Sequence, residues 1–294
     1  MDDWTSAFLR TTGFRRCVTL DMMQMTIDPQ NGQRGSAAIP PYVAAAERSE
    51  LTRPAWRAAA LFVLLACLWS WPLFWLREFH SDLWQALPVP APLRMTLVMW
   101  GPGLAALVCW RLFRARVART ASLLGGAPLR ALAFYFVPLS VLAACGTRIQ
   151  DLAGWQNVHA IVLAIAVVGF VNTLGEELGW RGFLRDSLAP LSLLERGALS
   201  GLIWAAWHFT NLFAGRQDGE AVLAHLAWYV PLTIVLSILL DAGVSRSRAL
   251  VVAITWHTWM NLAWELGGST KWWVLAAALP FWALLLATWP RPER

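Results

Sequence analysis

An all-α fold, a polytopic bundle of about eight transmembrane helices, is what this sequence predicts. Three observations predict it. Hydrophobic residues make up 57% of the 294-residue chain and charged residues only 14%, against about 25% charged in a soluble domain. Apolar stretches near or above 18 residues recur from about Ala58 to Trp289, and a bilayer core of ~30 Å takes roughly 20 apolar residues per helix. Arginines collect in the connections between those stretches, as orientation signals do.

Residues 1–55 are polar and irregular, and "DPQNGQRGSAAIPP" reads as loop. Without a long apolar run, this segment is expected to be a flexible cytoplasmic tail rather than a secretory signal. Residues 56–294 then form the transmembrane domain, with spans at 57–76, 94–112, 129–146, 157–178, 197–213, 221–240, 249–266 and 271–289. The first is the run "AAALFVLLACLWSWPLFWL". The second follows "PVPAP", and the third follows the "GGAP" turn. The fourth holds "HAIVLAIAVVGFV", and the last four are separated by the short polar breaks "AGRQDGE", "SRSR" and "GGSTK".

The connection "RLFRARVARTASLLGGAPLR" carries five arginines and no acid, which assigns it to the cytoplasm. Alternation then puts both termini and the 179–196 and 241–248 connections on that side, consistent with the inner membrane of a bacterium. Much of the tryptophan complement of 20 lies near span ends, as an interfacial belt requires. The net charge of +6 is accounted for by these flanks, so no nucleic-acid partner is expected; the bilayer is the partner. Cys17, Cys67, Cys109 and Cys145 are too scattered for a disulfide frame or zinc knuckle.

Ionisable groups within spans are rare and usually functional or paired. They occur here at Glu176, Glu177 and Arg181, at His208, and at His257 with Asn261. Glu177 and Arg181 are four apart and share a helix face, whereas Glu176 lies about 100° round the helix from Glu177. One glutamate therefore has a local partner and the other is free for chemistry. His257 and Asn261 should point the same way, and Trp204, one turn before His208, could pack on its ring. His80, His159 and His225 fall in or near outer loops or an outer span end and are read as having no catalytic role; Asp241 and Glu265 lie near span ends, where solvation is the expectation.

The same residues carry a family likeness. "EELGWR" from Glu176 to Arg181, "WAAWH" from Trp204 to His208 and "HTWMN" from His257 to Asn261 resemble the motifs EExxxR, FxxxH and Hxxx(N/B) of the CPBP family of intramembrane proteases, also called the CAAX protease and bacteriocin-processing or ABI family. Trp204 replaces the phenylalanine of the second motif. The likeness covers a protease-like core at 157–266. It implies a membrane-embedded endopeptidase acting on a membrane-associated peptide, a prenylated protein or a peptide precursor. It further implies Glu176 as general base, His208 positioning the water, His257 and Asn261 donating to the oxyanion, and Glu177, Arg181 and Trp204 supporting the site.

Glu176, His208 and His257 would also supply a three-ligand zinc shell if the enzyme were metal-dependent. The sequence lacks HExxH, and the metal-free version is favoured. Two competing classes remain: a non-catalytic immunity or scaffold protein on the same fold, and an ion-coupled transporter, which the absence of an evident internal repeat disfavours.

Overall fold

The computed structural model describes residues 53–144, 164–212, 219–266 and 270–290. Most of the expected tail, Cys145 and His159 lie outside them, as do the side chains of Asn211 and Glu265. The described residues are helical almost throughout: α1 (Trp56–Phe79), α2 (Ser81–Gln85), α3 (Ala91–Met99), α4 (Gly101–Leu112), α5 (Pro128–Ala144), α6 (Phe170–Glu177), α7 (Arg185–Ser187), α8 (Leu193–Trp207), α9 (Gly219–Ser247), α10 (Leu250–Leu266) and α11 (Thr270–Ala287). Residues Leu178–Leu184 join α6 to α7 with the wider π winding, and a 3₁₀ turn, Phe209–Leu212, follows α8. No strand occurs among the described residues, only an isolated parallel bridge between Ser122 and Ala249.

Each expected span contains helix, and the fold is an all-α membrane bundle. Among the described residues, three helical stretches are long and apolar enough to cross a bilayer: Trp56–Phe79, Leu93–Leu112 and Gly219–Ser247. The boundaries depart from expectation where polar residues find partners inside the protein. The fourth helix does not stop at residue 178 but winds on through Ser187, because Arg181, Arg185 and Asp186 are buried and paired. The fifth begins at Leu193, where Ser192 and Glu195 close a capping box, and ends at Trp207, so His208 is a C-cap rather than a mid-helix residue.

The sixth helix runs on to Ser247 past Asp241. The expectation that Asp241 is solvated fails: it is 3% exposed. Its two oxygens accept from Arg185 Nε at 2.7 Å and Arg196 Nε at 2.6 Å. His225 is likewise buried, stacked on Tyr229.

Two apolar clusters make the core. One gathers Phe62, Phe74, Trp110, Trp180, Phe183 and Trp207 from α1, α4, the π segment and α8. The other gathers Phe134, Ile254, Trp259 and Trp282 from α5, α10 and α11. Leu178, immediately after the two glutamates, packs on both.

Hydrocarbon does not drive helices together, so close backbone contact must. The glycines of "GEELG" and "GALSG" supply it. A Cβ on Gly179 would come within 2.5 Å of Pro102 Cβ, and one on Gly103 within 2.8 Å of the Gly175 carbonyl. A Cβ on Gly201 would lie 2.6 Å from Ile234 Cα, and one on Gly197 2.9 Å from Ile238 Cα. Beyond Gly201, α8 and α9 diverge around an apolar recess of about 520 Å³ lined by Trp71, Leu202, Ala205, Phe209 and Tyr229.

Because the obstacle at Gly201 is backbone, Gly201→Leu should overpack the α8–α9 seam by about 1–3 kcal/mol. That should appear as a lower thermal-unfolding midpoint in detergent, while Gly126→Ala, where a Cβ meets nothing within 4 Å, leaves it unchanged. Asp241→Ala should leave Arg196 without its carboxylate and Arg185 with Asp186 alone, at a cost of about 3–5 kcal/mol in the same measurement.

Candidate active site

The local helix register decides which glutamate does what. Glu177 and Arg181 are four apart, and Arg181 Nη1 donates to Glu177 Oε1 at 3.0 Å with both side chains buried. The same oxygen takes a second donor from another helix, His257 Nδ1 on α10 at 2.7 Å. A carboxylate only accepts, so this bond puts the ring proton on Nδ1 and leaves a lone pair on Nε2 of the neutral imidazole. One turn earlier on α6, and beside His257 on α10, the hydroxyls of Thr173 and Thr258 meet at 2.8 Å. Two polar ties thus hold α6 to α10.

Glu176 points elsewhere, as the 100° step requires. Its Oε2 accepts the indole Nε1–H of Trp204 on α8 at 3.1 Å. Its Oε1 lies 3.9 Å from His257 Nε2, too far for a hydrogen bond. Trp204 is the hub of the cluster: its ring sits edge-on to both imidazoles, 5.1 Å from His257 and 5.7 Å from His208. The Arg181 guanidinium lies 4.8 Å over it.

The end of α8 orients His208. Its Nδ1 is 3.1 Å from the Trp204 carbonyl, which can only accept, so Nε2 again keeps the lone pair. Trp207 and Phe74 wall the ring at 4.5 and 6.0 Å.

The structure therefore brings Glu176, Glu177, Arg181, Trp204, His208 and His257 into one buried cluster. It does not bring Asn261 with them. Asn261 is exposed one turn beyond His257 and makes no hydrogen bond among the described residues. The two remain four apart on α10, but His257 is buried and Asn261 is exposed. His257 also differs from a simple oxyanion donor, because its neutral form spends its one N–H on Glu177.

Sequence reasoning found Trp204 as a packing residue and missed its hydrogen bond to Glu176. It missed the Thr173–Thr258 contact altogether, since no local signal links residues so far apart in the chain.

As a test of zinc, the two imidazoles are suitably prepared, each with Nδ1 anchored and Nε2 free. Yet among the described residues no three His, Cys, Asp or Glu side chains converge closely enough to hold a metal ion. The arrangement does not fit a three-ligand shell.

Trp204→Phe keeps an aromatic ring near the imidazoles and deletes the N–H to Glu176 along with part of the indole's volume. It should cost about 1–3 kcal/mol by stranding a buried carboxylate oxygen, read from chemical denaturation in detergent. Combined with Glu176→Gln, the two effects should be non-additive by more than about 0.5 kcal/mol.

Comparison with known proteins finds similarity over the segment that carries the cluster. Residues 158–263 match the family described as type II CAAX prenyl endopeptidase Rce1-like. The CAAX prenyl protease 2 of Methanococcus maripaludis is 34% identical over 104 residues, a stretch covering 33% of this chain and 38% of that protein. The chain thus spans well under half the length of this curated relative. No solved structure matches the chain. The matched segment contains every residue of the cluster, so the similarity of this integral membrane protein to the Rce1-like CAAX prenyl endopeptidases falls on the part of the chain that builds the site.

Proposed function

We propose that this chain is an intramembrane endopeptidase in which Glu176 activates the hydrolytic water. One observation carries the reading. Of two buried adjacent glutamates, Glu177 is fully occupied at Oε1 by Arg181 and His257. Glu176 keeps Oε1 free of protein hydrogen bonds, facing an imidazole nitrogen at 3.9 Å. Arg181 balances one carboxylate only, so the second is neutralised by a proton held on Glu176 or on His257. With that proton on His257, Glu176 is the ionised carboxylate that a general base has to be.

Water bound between Glu176 Oε1 and the Nε2 atoms would lose a proton to the carboxylate as its oxygen attacks the peptide carbonyl carbon. The oxyanion so formed is stabilised by donors aimed at it. His257 serves when it carries the proton on Nε2, and Asn261 offers its amide from the exposed part of α10. Collapse of the tetrahedral intermediate breaks the C–N bond, and Glu176 returns its proton to the leaving amine. Glu177 and Arg181 keep α6 and α10 in register, and Trp204 fixes the Glu176 rotamer.

The relative's name supports a prenylated CAAX protein as substrate, with peptide precursors as the alternative. The arginine-rich 111–130 connection supports a cytoplasmic placement of that end and of both termini, in a bacterial inner membrane.

The test is a comparison of peptide N-termini in membranes containing the wild type and Glu176→Gln. A set of termini should vanish in the variant, with cleavage slowed at least about 10²-fold, while protein level and melting behaviour persist. Asn261→Ala should slow cleavage less. Termini unchanged by Glu176→Gln would replace this reading with that of a non-catalytic immunity or scaffold protein.

A further inference from the structure

A second polar recess lies apart from the glutamates. It occupies about 570 Å³ where α4 ends at Leu112, α5 begins at Pro128 and α10 begins at Leu250. Its rim carries Arg119 and Arg248 with Thr120, Ser122 and Gly125; its floor is Trp110, Leu174, Leu178 and Leu250. Leu174 and Leu178 lie roughly 160° round their helix from Glu176 by ideal α geometry, so the recess backs onto the active-site helix from its far side.

Charge is unevenly settled here. Arg185 and Arg196 pair with Asp186 and Asp241 in a buried network that is neutral by itself. Arg119 and Arg248 add two further positive charges, of which Arg248 acts on Asp186 only at longer range. Among the described residues neither forms an ion pair: Arg119 lies 4.2 Å over the Trp110 ring, and Arg248 Nη1 donates to the Thr120 carbonyl at 3.2 Å. Both are exposed at the mouth. The rim is stiff, because residues 122 and 123 exchange three backbone hydrogen bonds with residues 248, 250 and 251, and Ser122 Oγ accepts from Gly125 N–H at 3.0 Å. Leu123 and Leu129, 40% and 82% exposed, flank it.

We propose that this recess is a binding site for an anionic phospholipid, with the phosphate between Arg119 and Arg248 and the glycerol and first acyl carbons on the leucine floor. Paired guanidiniums match phosphate oxygens bidentately. The position at three helix ends is where hydrocarbon gives way to headgroups. An apolar floor beneath two exposed cations that form no salt bridge among the described residues suits a ligand charged at one end and oily at the other, which a free anion is not.

Native mass spectrometry of the full chain in detergent, titrated with phosphatidylglycerol, tests this independently of proteolysis. A retained one-lipid adduct is expected, weakened at least about tenfold in the Arg119→Gln, Arg248→Gln double variant. The Arg119→Lys, Arg248→Lys variant should keep most of the binding, and Arg111→Gln, Arg114→Gln, which removes exposed charges outside the recess, should keep all of it. Equal retention of phosphatidylcholine would overturn the proposal, as would indifference to the double glutamine variant. Displacement of the lipid by sub-millimolar inorganic phosphate would assign the recess to a free anion instead.

Discussion

The polar cluster at the glutamates depends on one oxygen atom. Glu177 Oε1 accepts from Arg181 within its own helix and from His257 across to the next. A buried carboxylate with a single guanidinium would satisfy its charge; the second donor turns a local ion pair into a clamp between α6 and α10. That clamp determines which imidazole nitrogen bears hydrogen, hence which one faces Glu176. The chemistry assigned to Glu176 therefore rests on its neighbour, which never needs to touch a substrate.

The clamp would be of little use on sliding helices. In lipid, side-chain burial gives helices no reason to prefer each other over acyl tails, so the interior needs steric fixing as well as polar fixing. Both motif helices supply it in their own sequence. Gly175 and Gly179 bracket the two glutamates and press against Gly103 and Pro102, while Gly197 and Gly201 precede Trp204 and press against α9. The residues that place the site and the residues that perform its chemistry are interleaved within single turns.

That interleaving explains how much could be read beforehand. Hydropathy marks the spans, because a membrane demands long apolar runs whatever the tertiary structure. The i,i+4 relation of Glu177 and Arg181, and the divergence of Glu176 from both, follow from helix geometry alone. What required the fold was every contact between helices. Asp241 looks like a solvated end residue until Arg185 and Arg196 close on it. His208 looks embedded mid-span because no glycine or proline announces the end of α8 at Trp207. Asn261 shares a helix face with His257 by count, yet only the histidine is covered. Periodicity gives the direction of a side chain and says nothing about whether a neighbour awaits it.

The seam between α8 and α9 has a mechanical consequence. At Gly197 and Gly201 the two rods meet backbone to backbone, so that end cannot yield. Farther along, past Ala205 toward His208, they splay around side chains alone. The pair is built like tongs riveted at one tip: a bulkier residue has no room at the glycine end, while at the other end the open recess leaves side-chain volume to spare.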